Sequence, residues 1–241
     1  MNILVTNDDG DSEGLRVLLE VGKKLGKAVA IAPNRQRSAV SGALTLHKPL
    51  RLHHVAEDVY SINGTPSDCV LFGIYSGEFE KPDLVLSGIN WGENASVGSL
   101  LGSGTLGACW QAALERIPSI AFSISRGPGD WRHRDSWGDR KVLVSRVHEI
   151  VRSLEKDLGP EKFFNVNMPH HLKDAKIVHV KKTQRERFAT SIVRRHDPEG
   201  RPYYWISGAP NAVEEGTDVH EVMVKRNIAI TEISLSIFHP K

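Results

Sequence analysis

The chain has 241 residues, 40% hydrophobic and 25% charged, with a formal net charge of +2. That is enough apolar mass for one large domain, or for a domain with a smaller appended unit. The near-neutral balance argues against nucleic acid or an acidic membrane as the main partner.

Ile3-Leu4-Val5 is a short apolar run that turns abruptly polar at Asn7-Asp8-Asp9-Gly10. A buried strand ending in two adjacent carboxylates needs a cation opposite them, because an unpaired buried carboxylate costs several kcal/mol. A divalent metal ion is the leading candidate. Leu15, Leu18, Leu19, Gly22 and Leu25 then recur at helical spacing and predict a helix over 13–25. Residues 28–32 (AVAIA) suit a strand buried on both faces, and 33–42 form a polar loop at its carboxyl end. Leu50-Arg51-Leu52 and Val59-Tyr60-Ser61-Ile62 read as hairpin-like pieces.

Gly64-Thr65-Pro66-Ser67-Asp68 opens a helix, with Thr65 as cap, Pro66 in the first turn and Asp68 closing a capping box. These residues are assigned structure rather than chemistry. Cys69 and Cys109 each fall inside a helical segment and read as small packed side chains, not as a disulfide. Residues 83–89 (DLVLSGI) predict another buried strand, followed by a loop rich in Gly, Asn and Ser. A helix over 105–116 and a strand over 119–124 come next. A loop dense in Gly, Trp, His and charge spans 126–138. An amphipathic helix then carries Leu143, Val147, Ile150, Leu154 and Leu158 on one face, and a strand covers 163–166.

The alternation up to residue 168 predicts an α/β fold: a Rossmann-like three-layer αβα sandwich with a mostly parallel sheet. A smaller, β-rich C-terminal extension is expected over 169–241. Nothing leader-like precedes the first strand, and no apolar run approaches the ~18 residues of a membrane span, so a cytoplasmic setting is expected.

In open parallel sheets, ligands bind beyond the carboxyl ends of the strands. Asp8 and Asp9, the 35–41 loop and the 87–103 loop all fall there and could converge on one crevice, which sequence alone does not decide. Their carboxylates, hydroxyls and amides are hard oxygen donors, which favour Mg²⁺, Mn²⁺ or Ca²⁺ over zinc. Leu101-Gly102-Ser103-Gly104-Thr105 opens a helix and is either a phosphate cradle or an ordinary start capped by Ser103. Gly102–Gly107 formally matches GxGxxG, but it stands more than a dozen residues beyond its strand. The acidic residue wanted ~20 positions on is also missing, which argues against a dinucleotide site.

Taken in order, these motifs resemble the SurE family, the survival protein E nucleotidases. They are Asn7-Asp8-Asp9-Gly10, Ala32-Pro33 with Arg37-Ser38, Gly64-Thr65-Pro66 with Asp68-Cys69, Ser87-Gly88-Ile89-Asn90 with Gly92 and Asn94, and Ser103-Gly104-Thr105. Residues 191–196, 200–208 and Gly216-Thr217-Asp218 extend the likeness over nearly the whole chain. The resemblance implies a metal-dependent phosphomonoesterase acting on nucleoside 5′- and 3′-monophosphates, with one divalent ion per subunit. It implies metal ligands at Asp8, Asp9, Ser38 and Asn94, and phosphate contacts at Asn90, Ser103, Gly104 and Thr105. Catalysis falls to Asp8 and Asp9, with Asp9 the candidate to orient the attacking water. Homodimers or homotetramers with exchanged C-terminal segments are also implied. Position 102 departs from the family pattern, having glycine where a larger residue, typically histidine, is expected.

Trp131, His133, Arg134 and Trp137 read either as a lid that stacks on a base or as a solvent-facing or subunit-contact loop. His53-His54 and His170-His171 read as solvated surface. Residues 176–201 hold eight basic and three acidic side chains. That stretch supports an alternative function, binding of nucleic acid or polyphosphate.

Overall fold

The computed structural model describes residues 1–126, 137 and 139–238. The first half runs β1 (Asn2–Thr6), α1 (Glu13–Leu25), β2 (Lys27–Pro33), β3 (Leu52–Ala56), β4 (Val59–Ile62), α2 (Pro66–Tyr75) and β5 (Leu84–Trp91). Then come α3 (Val97–Gly102), α4 (Gly104–Leu114), β6 (Ser119–Ile124), α5 (Arg140–Leu154) and β7 (Lys162–Met168). The chain continues through β8 (Ile177–His179), β9 (Phe188–His196), β10 (Pro202–Pro210), α6 (Asp218–Met223) and β11 (Ile228–Ser234).

Nine strands form one sheet in the order β3-β4-β2-β1-β5-β6-β7-β11-β8. The run from β4 to β7 is parallel, whereas β3 joins antiparallel to β4 and β11 antiparallel to β7, with β8 parallel to β11 at the edge. Side chains alternate across the strands and pack two layers of helix. Ile3 and Val5 of β1 meet α1 and α5 in the cluster with Leu15, Leu18, Val147 and Ile150. Leu4 and Ile31 point the other way, onto Val70 of α2 and Ala108 and Ala112 of α4. Each buried Leu or Ile contributes roughly 1.5–3 kcal/mol to this core. The three-layer α/β sandwich is therefore present as the sequence predicts.

Local signals explain the helix ends. Ser12 caps α1 by accepting from Leu15 N, with Glu13 in the first turn and Lys23 and Lys24 in the last. Thr65 and Asp68 close the capping box of α2. Cys69 and Cys109 are buried free thiols, and burial pushes their ionisation up, Cys109 to about 12. His53 and His54 are exposed on β3. His171 is exposed too, but His170 is half-buried against the edge of Trp91, so that pair is not simply solvated surface. Trp131, His133 and Arg134 lie outside the described residues, while Trp137 packs on Trp91 with ring centroids 4.7 Å apart.

Two features differ from the sequence reading. Helix α3 occupies part of the expected loop. The C-terminal extension does not stand apart either: β8 and β11 return to the main sheet, and only β9 and β10 form a second, two-stranded one. A boundary at 168/169 thus cuts through one continuous sheet.

The strand order reverses at β1, whose neighbours β2 and β5 are reached in opposite directions, and this opens a crevice above their carboxyl ends. Close packing sets its floor. A Cβ on Gly14 of α1 would overlap the carbonyl oxygen of Ile89 in β5. Gly14→Ala should lower the free energy of unfolding by about 1–3 kcal/mol, the usual cost of overpacking. An unchanged urea midpoint would contradict this packing.

Candidate active site

The site is built outward from the end of β1. Asn7 is buried and closes the turn that follows: its Nδ2 donates to Gly10 O (2.8 Å) and Ser12 Oγ (2.9 Å), and Gly10 N donates to Asn7 Oδ1 (3.1 Å). Asp8 points inward, with only 5% of its surface exposed. Its Oδ1 accepts from Thr105 Oγ1 at 2.6 Å, and its carbonyl accepts from Arg37 N at 2.7 Å. Burial pushes its carboxyl from the ordinary 3.8 to about 6; the Thr105 bond opposes that shift and the neighbouring Asp9 adds to it.

Asp9 is half-buried, and Gln36 ties it to the loop after β2. Gln36 Nε2 donates to Asp9 Oδ1 (3.1 Å) and to Ser38 Oγ (3.0 Å), so one amide group joins two expected metal ligands. Arg37 anchors the same loop from behind by donating from Nε to Gly64 O at 3.0 Å. Gly104 must be glycine for α4 to approach: its Cβ would lie 2.9 Å from Asp8 Cβ and 3.2 Å from Arg37 O.

Asn94 is the most constrained ligand candidate. Its N–H donates to Asn167 Oδ1 (2.7 Å), its carbonyl accepts from Asn165 Nδ2 (3.0 Å), and its Nδ2 donates to Ser123 Oγ (2.9 Å). With Nδ2 on Ser123 Oγ, Asn94 Oδ1 has no described partner. Asn165 Oδ1 and Asn167 Nδ2 are buried with no partner among the described residues. An atom of that kind left unpaired costs about 1–3 kcal/mol. Two residues on, Ser96 N donates to the buried Asp218 (2.8 Å), which also accepts from Gln184 N (2.9 Å). The C-terminal Gly216-Thr217-Asp218 motif thereby clamps the loop that carries Asn94.

Asp8, Asp9, Ser38, Asn90, Asn94 and Ser103 all line one pocket of about 320 Å³. Asn90 also shapes its own turn, Nδ2 donating to Gly92 O at 2.7 Å. Gly104 and Thr105 stand behind Asp8 rather than on the pocket wall, and the Thr105 hydroxyl is occupied by the carboxylate. The Ser103 turn is an ordinary helix cap, Leu106 N donating to Ser103 Oγ, and it lies on the pocket at the same time. Gln36, Ser123, Asp218 and Arg126 were not among the expected site residues. Asn165 and Asn167 do carry a signal, being two asparagines at alternate positions in the otherwise apolar FFNVNM strand.

A family model described as survival protein SurE matches residues 3–191. This chain belongs to the SurE family. It is 44% identical over 244 residues to a protein of Thermofilum pendens named 5′-nucleotidase SurE, covering 98% of this chain and 91% of that one. The protein of the same name from Pyrobaculum arsenaticum is 38% identical over 245 residues, with coverage of 98% and 91%. Among solved structures, the SurE protein from Aquifex aeolicus superposes with a TM-score of 0.80 at 31% identity, covering 98% of this chain and 94% of its own.

The raised Asp8 ionisation has a definite sign. Between pH 3.8 and about 6 the folded SurE chain without metal holds more protons than the unfolded one, so its stability falls as pH rises through that window and stays lower above it. Asp8→Asn removes this contribution. In EDTA the variant's urea midpoint should gain on the wild type's between pH 4 and pH 7, and a constant gap would contradict it.

Proposed function

We propose that this SurE-family chain is a divalent-metal-dependent phosphomonoesterase that releases phosphate from nucleoside 5′- and 3′-monophosphates. One observation carries the reading. Two carboxylates, a hydroxyl and an amide with an uncommitted oxygen line one pocket beside the start of a helix. The donors are all oxygen, the preference of Mg²⁺ or Mn²⁺, with Ca²⁺ the third choice. The cost of keeping Asp8 charged fits a cation held by Asp8, Asp9, Ser38 Oγ and Asn94 Oδ1. Such an ion, when bound, supplies Lewis-acid polarisation of the phosphoryl group and a more acidic water.

The remaining work falls to the chain itself. The first N–H groups of α4 lack carbonyl partners within the helix, and its positive end lies against Asp8. From behind Asp8, that positive end adds a favourable field at the peripheral phosphoryl oxygens rather than a direct contact. Asp9, held by Gln36 and less buried than Asp8, orients the attacking water. It takes the water's proton as the new P–O bond forms and the nucleoside P–O bond breaks, and returns that proton to the leaving nucleoside oxygen. Asn90 and Ser103 bracket the phosphate.

No described helix is long and apolar enough to cross a membrane, and the proposed setting is the cytoplasm. The alternative, nucleic-acid or polyphosphate binding through 176–201, draws less support. Lys182 and Arg187 of that stretch are already paired with Glu214 and Glu93, each at 3.3 Å. We also propose a homodimer or homotetramer with exchanged C-terminal segments. The β9–β10 hairpin has no buried residue and exposes Trp205 at 60% and Ile206 at 80%. A two-stranded hairpin is marginal alone, and its apolar surface fits cover by a second copy.

Phosphate release from nucleoside monophosphates should stop in EDTA and return with Mg²⁺ or Mn²⁺. Asp8→Asn should lower it by more than ~100-fold, beyond what loss of a supporting contact costs. Tight, salt-dependent RNA binding without turnover would favour the alternative. Light scattering should give a mass of at least twice 26.7 kDa. Trp205→Glu with Ile206→Glu should shift it toward the single chain, and a monomeric wild type would refute the assembly.

A further inference from the structure

Four charged side chains line the pocket: Asp8, Asp9, Glu93 and Arg126. Glu93 is already matched by Arg187, at 3.3 Å with both side chains 14% exposed. Arg126 is ion-paired with no described residue. It follows β6, two strands from β1, which sets its backbone about 10 Å across the crevice from the Asp8 turn.

Its guanidinium is held in place. Nε and Nη2 both donate to Trp91 O, at 3.1 and 2.9 Å, and the group lies over Gly92, where a Cβ would come within 3.4 Å of Nε. Those bonds occupy one edge of the fork. One Nη2 hydrogen and both Nη1 hydrogens have no described acceptor.

We propose that Arg126 is the phosphate-recognising cation of this pocket. The inference rests on the phosphomonoesterase reading for its charge balance. A divalent ion on Asp8 and Asp9 neutralises both, Glu93 is neutralised by Arg187, and Arg126 is left as the net positive charge facing a phosphomonoester dianion. A guanidinium already fixed on Trp91 O loses little freedom on binding, and its open edge matches two phosphate oxygens.

The test compares wild type with Arg126→Gln, which keeps a donor for Trp91 O but loses the charge, and with Arg126→Lys, which keeps the charge but loses the fork. Binding of inorganic phosphate to Mn²⁺-loaded protein is measured by calorimetry. Kinetics are taken on a nucleoside 5′-monophosphate and on p-nitrophenyl phosphate. In Arg126→Gln the phosphate Kd and both KM values should rise about tenfold or more, as for loss of a charge-assisted hydrogen bond. The kcat should stay within about threefold, because the contact is made equally in ground and transition states. Arg126→Lys should fall between. Equal phosphate affinity in wild type and Arg126→Gln, or no detectable binding to wild type, overturns the inference. A KM that rises for the nucleotide alone also overturns it, since Arg126 would then be reading sugar or base. If phosphate binding weakens as expected but wild type hydrolyses no phosphomonoester, the inference stands and the proposed function fails.

Discussion

The constraint on which the rest depends is the burial of one carboxylate beside another at the carboxyl end of β1. Asp8 is almost closed off from water, and its ionisation is pushed up mainly for that reason. A fold has three ways to tolerate such a group: neutralise it with a fixed cation, leave the balance to a bound one, or protonate it. Here the contacts offered to Asp8 are neutral, a hydroxyl from Thr105 and a backbone amide to its own carbonyl. The strand-order reversal then opens the space above it. Gly104 lets the positive end of α4 come within van der Waals contact of Asp8 without any side chain filling the gap. Under the proposed function, the cost of that buried carboxylate is returned as affinity for the divalent ion.

The wall opposite is organised by a different expense. Asn94 is held at its amide, its carbonyl and its side chain, by residues from β6 and β7. The two asparagines responsible each leave a buried polar atom with no partner among the described residues. Asp218 extends the same rigidity to Ser96 and ties it to Gln184. The C-terminal segment is therefore part of the site's frame. That agrees with β11 and β8 completing the main sheet, since the strand that supports Asn165 and Asn167 is itself paired by β11.

What was legible in the sequence were the features whose cause is local. The period of α1, the cap of α2, the apolar run of β6 and the polar break after Val5 depend on neighbours a few residues away, and each was found within a residue or two. Asp8, Asp9, Ser38, Asn90, Asn94 and Ser103 were expected together and do share a pocket. Features set by partners far along the chain were not legible. Gln36 matters only because Asp9 lies 27 positions before it. Asp218 matters through Ser96, 122 positions away. The return of β11 to β7 is hidden because chain order does not state sheet order. Helix α3 is one short Gly-containing turn set in a polar loop, too brief to show a period.

The charges of the crevice fall into two zones with different sensitivities. The floor, Asp8 with the start of α4, is shielded from solvent, so its electrostatics resist salt and tolerate little change. The rim holds exposed Arg126 and the glycine at 102, where a Cβ would meet nothing within 4 Å. Charges there act through water, are screened over about 8–10 Å, and can be exchanged without unfolding anything. A residue lost from one side of such a rim can be answered by a cation on another. The space that glycine leaves open at 102 changes the shape of the mouth while the donor set beneath it stays intact. The donor set of the floor and the shape of the rim are therefore set by different residues.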